Sequence, residues 1–129
     1  MKKIKKIYIA GPLTPRGKRK DTNNVAIEYL FNVNDMIDIA IQLIKCGFTP
    51  FTPGIDFAYF LHPSAPKVLT EDKIKELSLD WMEACDALLV LPRHESSVGA
   101  LKEIVRAKEL AIPIFYGIGP IMEYNAKID

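Results

Sequence analysis

Two short apolar runs, Ile7-Tyr8-Ile9-Ala10 and Ala87-Leu88-Leu89-Val90-Leu91, constrain the fold of this chain more than any other feature. Neither run alternates between apolar and polar residues, so neither suits a strand with one face in water. Both read as strands covered on two faces, which is the habit of parallel sheets, whose crossover helices lie over the faces. Phe48-Thr49-Pro50-Phe51 and Ile112-Pro113-Ile114-Phe115-Tyr116 read as a second and a fourth strand, with Gly11-Pro12 and Pro53-Gly54 as turns after the first two.

Helical patterns fill the intervals. From Ala26 to Lys45, residues Leu30, Val33, Ile37, Ala40, Ile41 and Ile44 recur at three- and four-residue steps, and Gly47 is placed to end the helix. Thr70 before Glu71-Asp72-Lys73 is a helix start with acidic residues in the first turn, and Ile74, Leu77, Trp81 and Ala84 form its expected apolar stripe. A third helix is expected from Val98 to Leu110, burying Ala100, Ile104, Ala107 and Leu110. Residues 14–24 read as a polar loop, and 55–67 as a short helix and a loop over the sheet edge. Residues 117–129 read as a tail with at most one helical turn. Alternating strands and helices joined by right-handed crossovers give an α/β fold: a small doubly wound, Rossmann- or flavodoxin-like parallel sheet of four to five strands with helices on both faces. The expected strand order is 2-1-3-4, in one domain spanning residues 1–129.

In such folds ligands bind outside the carboxyl ends of the strands, where the chain reverses direction. The loops meeting there are Gly11–Lys20 and Pro92–Gly99. The second runs into Ser96-Ser97-Val98-Gly99-Ala100-Leu101-Lys102-Glu103, two hydroxyls and a glycine at a helix start with a carboxylate one turn further in. The unpaired N–H groups and partial positive charge of a helix N-terminus favour an anion. Ser96 and Ser97 read first as helix caps and second as phosphate ligands, and both duties use the same N–H groups. Glu103 reads either as a solvated helix carboxylate or as a nucleophile or base facing the crevice; it flanks the apolar stripe rather than opposing it.

Other candidates carry two readings as well. Asp80, near the end of its helix, is a solvent-facing residue or a second functional carboxylate, and Asp86 is a hydrogen-bond acceptor for turn amides. Arg16, Lys18, Arg19 and Lys20 form a solvated loop or close on a phosphate. Tyr8, on a buried strand, reads first as core.

Composition removes several classes. A net charge of +1 argues against a nucleic-acid polymer or a membrane surface as partner. No stretch approaches the roughly 18 apolar residues of a membrane span, and no signal core follows the first lysines, so a cytoplasmic protein is expected. Cys46 and Cys85 lack metal-ligand spacing and read as free, buried thiols; His62 and His94 complete no ligand cluster, so no metal is expected. Neither a Walker pattern nor G-x-G-x-x-G is present.

Three segments together resemble the nucleoside 2-deoxyribosyltransferase superfamily, which includes the 2′-deoxynucleoside 5′-monophosphate N-glycosidases. They are Tyr8-Ile9-Ala10-Gly11, Asp80-Trp81 followed by Cys85-Asp86-Ala87, and Ser97-x-Gly99-x-x-x-Glu103, and the similarity runs from about residue 6 to 116. The resemblance implies that Glu103 attacks C1′ of the sugar to form a covalent glycosyl-enzyme, and that Asp80 manages the proton of the leaving base. It implies substrate contacts from Tyr8 and Gly11, and a phosphate held by Ser97 and Gly99 with Arg16. Ser97 stands where nucleoside-specific relatives resemble an aspartate that binds a free 5′-hydroxyl; a hydroxyl there suits a phosphate. Gly11 is followed by Pro12-Leu13-Thr14 rather than Gly-Ser-x-Arg, and Val105 replaces a glycine after the nucleophile.

The resemblance thus implies an enzyme of nucleotide metabolism, a hydrolase or transferase acting on the N-glycosidic bond of a (deoxy)nucleoside 5′-monophosphate without a cofactor. It also implies a homodimer or higher homo-oligomer, for which Phe57-Ala58-Tyr59-Phe60 and Ile121-Met122-Glu123-Tyr124 are candidate contacts or, equally, internal packing. The alternative is a non-catalytic nucleotide-binding or sensing module with the same crevice.

Overall fold

The computed structural model describes residues 2–15, 17 and 19–128, without the side chains of residues 57, 58, 60, 61, 71 and 96. Strands β1 (Lys6–Ala10), β2 (Thr49–Phe51), β3 (Ala87–Val90) and β4 (Ile114–Phe115) form one sheet in the order β2-β1-β3-β4. Every pairing is parallel, with Tyr8 opposite Phe51 on one side and Leu88 on the other. The expected α/β doubly wound architecture and strand order are therefore observed.

Alternate residues of β1 and β3 feed two cores. Ile7, Ile9, Ala87 and Leu89 pack with Met36, Ala40 and Leu43 of α1 (Val25–Lys45) and with Ile121. Tyr8, Ala10, Leu88 and Val90 pack with Met82 and with Ile104 and Ala107. Met82 belongs to α3 (Glu71–Glu83), and the other two to α4 (Val98–Glu109). Side chains on both faces of each strand are buried, as the unbroken apolar runs require.

Local signals operate as read. Asn24 Oδ1 accepts from Ile27 N at 3.1 Å and starts α1, while Thr70 Oγ1 accepts from Lys73 N at 3.1 Å and starts α3. Gly47, at φ +90°, follows the end of α1 in a backbone conformation that side chains resist. Between β2 and α3 the chain forms a 3₁₀ helix, Pro53–Leu61, and a single turn α2 (Ala65–Val68).

Several expectations are corrected. Residues 118–126 form a helix, α5 (Ile118–Ala126), not a loose tail. Pro120 lies within its first turn, where the N–H it lacks would have no partner anyway. Ile121 is fully buried and Tyr124 sits edge-on against Phe115 at 5.7 Å, so these two side chains pack within the chain. On α1 the buried stripe is Val33, Met36, Ala40 and Leu43, while Leu30, Ile41 and Ile44 stay exposed. That helix is apolar around most of its circumference, so periodicity alone does not select the face. On α3, Trp81 is exposed and stacks on Phe51 at 5.3 Å, while the fully buried position is Met82. Leu110 caps α4 and is exposed rather than completing its stripe. Cys46 is exposed at the C-cap of α1; Cys85 is half-buried, and burial pushes its thiol up to about 11. Both thiols are free, but neither is a core residue. In the expected interface segment Tyr59 is exposed, and the side chains of Phe57, Ala58 and Phe60 lie outside the described residues.

Because Ile121 fills the core under β1 and β3, Ile121→Ala is expected to cost about 2–5 kcal/mol in denaturant unfolding. Met122→Ala, on the exposed side of the same helix, is expected to stay within about 0.5 kcal/mol. Equal effects of the two would contradict the packing of α5.

Candidate functional site

At the carboxyl end of the sheet lies a cleft of about 300 Å³. Its floor is Tyr8 of β1 and the following Gly11; one wall is the start of α4 with Ser97, Gly99 and Glu103. A Cβ on Gly11 would sit 3.0 Å from Leu91 Cβ, so this glycine allows the ends of β1 and β3 to approach. Five of the seven site residues implied by the resemblance therefore meet in one cleft: Tyr8, Gly11, Ser97, Gly99 and Glu103.

Ser97 is the N-cap of α4. Its Oγ accepts from Ala100 N at 3.1 Å, and its carbonyl accepts from Leu101 N at 3.1 Å. Capping uses an acceptor lone pair and leaves the hydroxyl proton to donate. A Cβ on Gly99 would meet only Ser97 Oγ, at 3.9 Å, so no packing demands glycine there; its bare backbone leaves the helix start open to the cleft. The side chain of Ser96 lies outside the described residues.

Glu103 sits one turn further along α4, with its carboxyl turned into the cleft floor. Burial pushes its pKa up to about 7, against the opposing influence of the nearby Tyr8 hydroxyl. Tyr8 is fully buried, and its hydroxyl, close to both Glu103 and Ser78, meets hydrogen-bond geometry with neither. Burial and the Glu103 charge hold that phenol above the ordinary tyrosine range, so it stays a protonated donor. A buried donor without a partner is costly, and this one lines a cavity.

Asp80 is not part of this cleft. It is exposed, whereas α3 presents Ile74, Lys75, Ser78 and Leu79 to the cavity. Two residues beyond Ser78 means a rotation of about 200° around the helix, which carries Asp80 to the outer face. The second carboxylate of the cleft is instead Asp56, on the 3₁₀ helix after β2, and burial pushes its pKa up. Sequence reading missed both Ser78 and Asp56. The signal for Ser78 was the α3 face set by Leu79 and Met82; that for Asp56 was the Pro53-Gly54 turn, which opens at the same sheet end as the other two loops.

The basic loop also differs from expectation. Arg16 and Lys18 lie outside the described residues. Arg19 turns away from the cleft, donating to Asp21 at 2.6 Å, Asp35 at 2.7 Å and Asn32 at 3.1 Å, with its guanidinium over the Phe31 ring. Among the described residues, the lysines that line the cavity are Lys75 and Lys102. Asp86 has the structural role anticipated: its Oδ2 accepts from Lys5 N and Lys6 N at 2.9 Å each. Burial raises its pKa, but those amides and Lys2 outweigh it and hold the carboxyl below the usual range. Among the described residues no group of three or more His, Cys, Asp or Glu side chains is arranged to hold a metal ion.

Residues 5–116 match the family described as Domain of unknown function (DUF4406), and the chain belongs to that family. No curated protein matches the chain.

The raised pKa of Glu103 has a sign that stability measurements read directly. Between about 4.5 and 7 the folded state holds a proton that the unfolded state has released, so this group's contribution falls as pH rises through that window. Glu103→Gln is therefore expected to be more stable than wild type by about 1–3 kcal/mol at pH 8, a gain that shrinks towards zero near pH 4. A pH-independent difference would contradict the burial of this carboxyl.

Proposed function

We propose that this member of the DUF4406 family cleaves or transfers the N-glycosidic bond of a (deoxy)nucleoside 5′-monophosphate, through a covalent glycosyl-enzyme on Glu103. The observation that carries this reading is the pairing of Glu103, desolvated and titrating near 7, with the unpartnered Tyr8 hydroxyl in a cleft rimmed by the α4 N-terminus. A solvated helix carboxylate has no reason to be in such a place; a nucleophile shielded from water does.

On this reading the 5′-phosphate sits against the Ser97 hydroxyl and the free N–H groups at the start of α4, where dipole and donors favour an anion. Lys102 and Lys75 add positive charge, and Arg16, which lies outside the described residues, is the arginine that the resemblance assigns to the phosphate. The sugar then lies further along the helix, over Glu103, which follows Ser97 by a rise of about 9 Å along the axis. Attack by the carboxylate at C1′ expels the base, and the Tyr8 donor orients the attacking carboxyl. Water as acceptor yields sugar phosphate; a second base yields an exchanged nucleotide. The same reading expects a cytoplasmic homo-oligomer that uses no cofactor, supported by the apolar stripe left exposed on α1 and by a net charge near zero.

A second reading has an observation of its own. The carboxylate expected to serve the leaving base, Asp80, lies outside the cleft, and a cleft without a proton donor for the base would bind a nucleotide without cleaving it.

Incubation with each deoxynucleoside monophosphate, followed by chromatography for free base, separates the two. Cleavage is expected with at least one base, with kcat/KM rising through a midpoint near pH 7 as Glu103 ionises in the free enzyme. Glu103→Ala is expected to lower the rate by about 10³-fold or more while nucleotide binding persists. Tight binding with no base released from any substrate would replace the enzymatic reading with the binding one; failure to bind any nucleotide would sink both.

A further inference from the structure

We propose that Asp56, carried on the 3₁₀ helix after β2, is the residue that protonates the departing base and then activates the incoming water. This assignment rests on the glycosyl-transfer reading of Glu103 and adds to it the group that handles the proton.

The geometry comes from the sheet order. In β2-β1-β3, the segment after β2 and the helix after β3 flank β1 on opposite sides, and Tyr8 of β1 lies between them. Asp56 and Glu103 thus reach one cavity from different elements, and the charge of Asp56 acts on Tyr8 and on Tyr29 of α1. The turn bearing Asp56 is pressed into place. A Cβ on Gly54 would lie 2.8 Å from Leu13 Cδ2 and 3.0 Å from Val33 Cγ2, so only glycine lets the turn approach the β1 loop and α1 this closely. Thr52 and Pro53 before it are buried. Burial shifts Asp56 towards its protonated form, the direction a general acid requires, against an opposing backbone hydrogen bond. Among the described residues the buried Tyr8 hydroxyl has no hydrogen-bond partner, an independent sign that this cavity is completed by a ligand.

The steps balance as follows. A Glu103 carboxylate oxygen bonds to C1′ while the C1′–N bond breaks; its electron pair leaves on the base nitrogen, which takes the proton of the Asp56 carboxyl. Asp56, now a carboxylate, removes a proton from water as the water oxygen bonds to C1′ and the C1′–Glu103 bond breaks. Sugar phosphate leaves with Glu103 a carboxylate and Asp56 protonated again. Two carboxyl groups exchanging these duties is the general logic of retaining glycosyl transfer.

The test compares two leaving groups in wild type and Asp56→Asn: the natural base of the best deoxynucleoside monophosphate, and 4-nitrophenolate from the 5-phosphorylated 4-nitrophenyl 2-deoxyriboside, which departs without a proton. Asp56→Asn is expected to slow base release by about 10²–10⁴-fold. With the nitrophenyl substrate it should still give a rapid burst of one nitrophenolate per site, followed by slow turnover, with the sugar phosphate found on Glu103 by intact mass. Azide, a nucleophile that needs no base, should then restore turnover and yield the glycosyl azide. Asp56→Ser, with the same burst and azide rescue, guards against poor folding of the first variant. Equal losses on both leaving groups, or no loss on either, would overturn the role of Asp56 while leaving Glu103 as nucleophile. No release of base or nitrophenolate by wild type would overturn the glycosyl-transfer reading itself, and Asp56 with it.

Discussion

Strand β1 is hydrogen-bonded on both edges and covered on both faces, and the position of each group in the cleft follows from that. Parallel pairing with β2 and β3 puts the loops after all three strands at one end of the sheet. The two-residue period of β1 sends Ile7 and Ile9 into the core under α1 and α5, and Tyr8 to the face shared by α3 and α4. A register slip of one residue would exchange those faces, burying an isoleucine where the phenol now stands. Gly11, where a side chain would collide with Leu91, lets the strand ends close up so that the two loops form one crevice.

Within that crevice two opposed electrostatic effects act on Glu103, and their sizes decide its state. The N-terminal dipole of α4 favours a first-turn carboxylate by about 0.3–1 kcal/mol, but Glu103 lies beyond that turn and gains less. A rise from 4.5 to about 7 corresponds to roughly 3 kcal/mol in the other direction, and burial is its chief cause. Burial therefore outweighs both the dipole and the Tyr8 donor. Stability alone would select a neutral residue here, so the cost of this carboxylate is itself an argument for a role in chemistry. Asp56 is pushed the same way by a shallower burial, so the cleft holds two carboxyl groups in different environments near a Tyr8 hydroxyl that has no hydrogen-bond partner among the described residues.

How legible this was in the sequence depends on which physical cue was local. Strand order, the caps at Thr70 and Ser97, and the meeting of the loops after β1 and β3 were readable, because unbroken apolar runs and cap residues act over a few positions; Tyr8 read from its strand as core, and only the resemblance implied its place in the cleft. The faces of α1 and α3 were not, because both helices offer more than one apolar stripe and the sheet chooses among them. That choice displaces Asp80: the seating of Leu79 and Met82 against the sheet turns Ser78 inward and Asp80 outward. Asp56 was hidden for a different reason, since its turn is fixed by contacts of Gly54 with Leu13 and Val33, far away in sequence. Helix α5 was obscured by Gly117, Gly119 and Pro120, which read as loop until the buried Ile121 is seen beneath the sheet.

The same long-range logic explains the basic loop. Arg19 follows β1 and Arg93 follows β3, and both donate to the same Asp35 oxygen of α1, at 2.7 and 2.8 Å. An exposed pair of this kind contributes little by itself, roughly 0–1 kcal/mol. Arg19, however, is largely enclosed and also bonds Asp21 and Asn32, while Asn32 donates back to Leu13 O at 3.0 Å. Those bonds bind the loop carrying Leu13 and Thr14 to α1, and through Asp35 they bind the loop leading to Ser97 as well. Arg19, one of the four basic residues that read from sequence as a possible phosphate clamp, is thereby spent on holding two cleft walls together. Among the described residues, the cations that line the cavity beside the α4 N-terminus are Lys75 and Lys102.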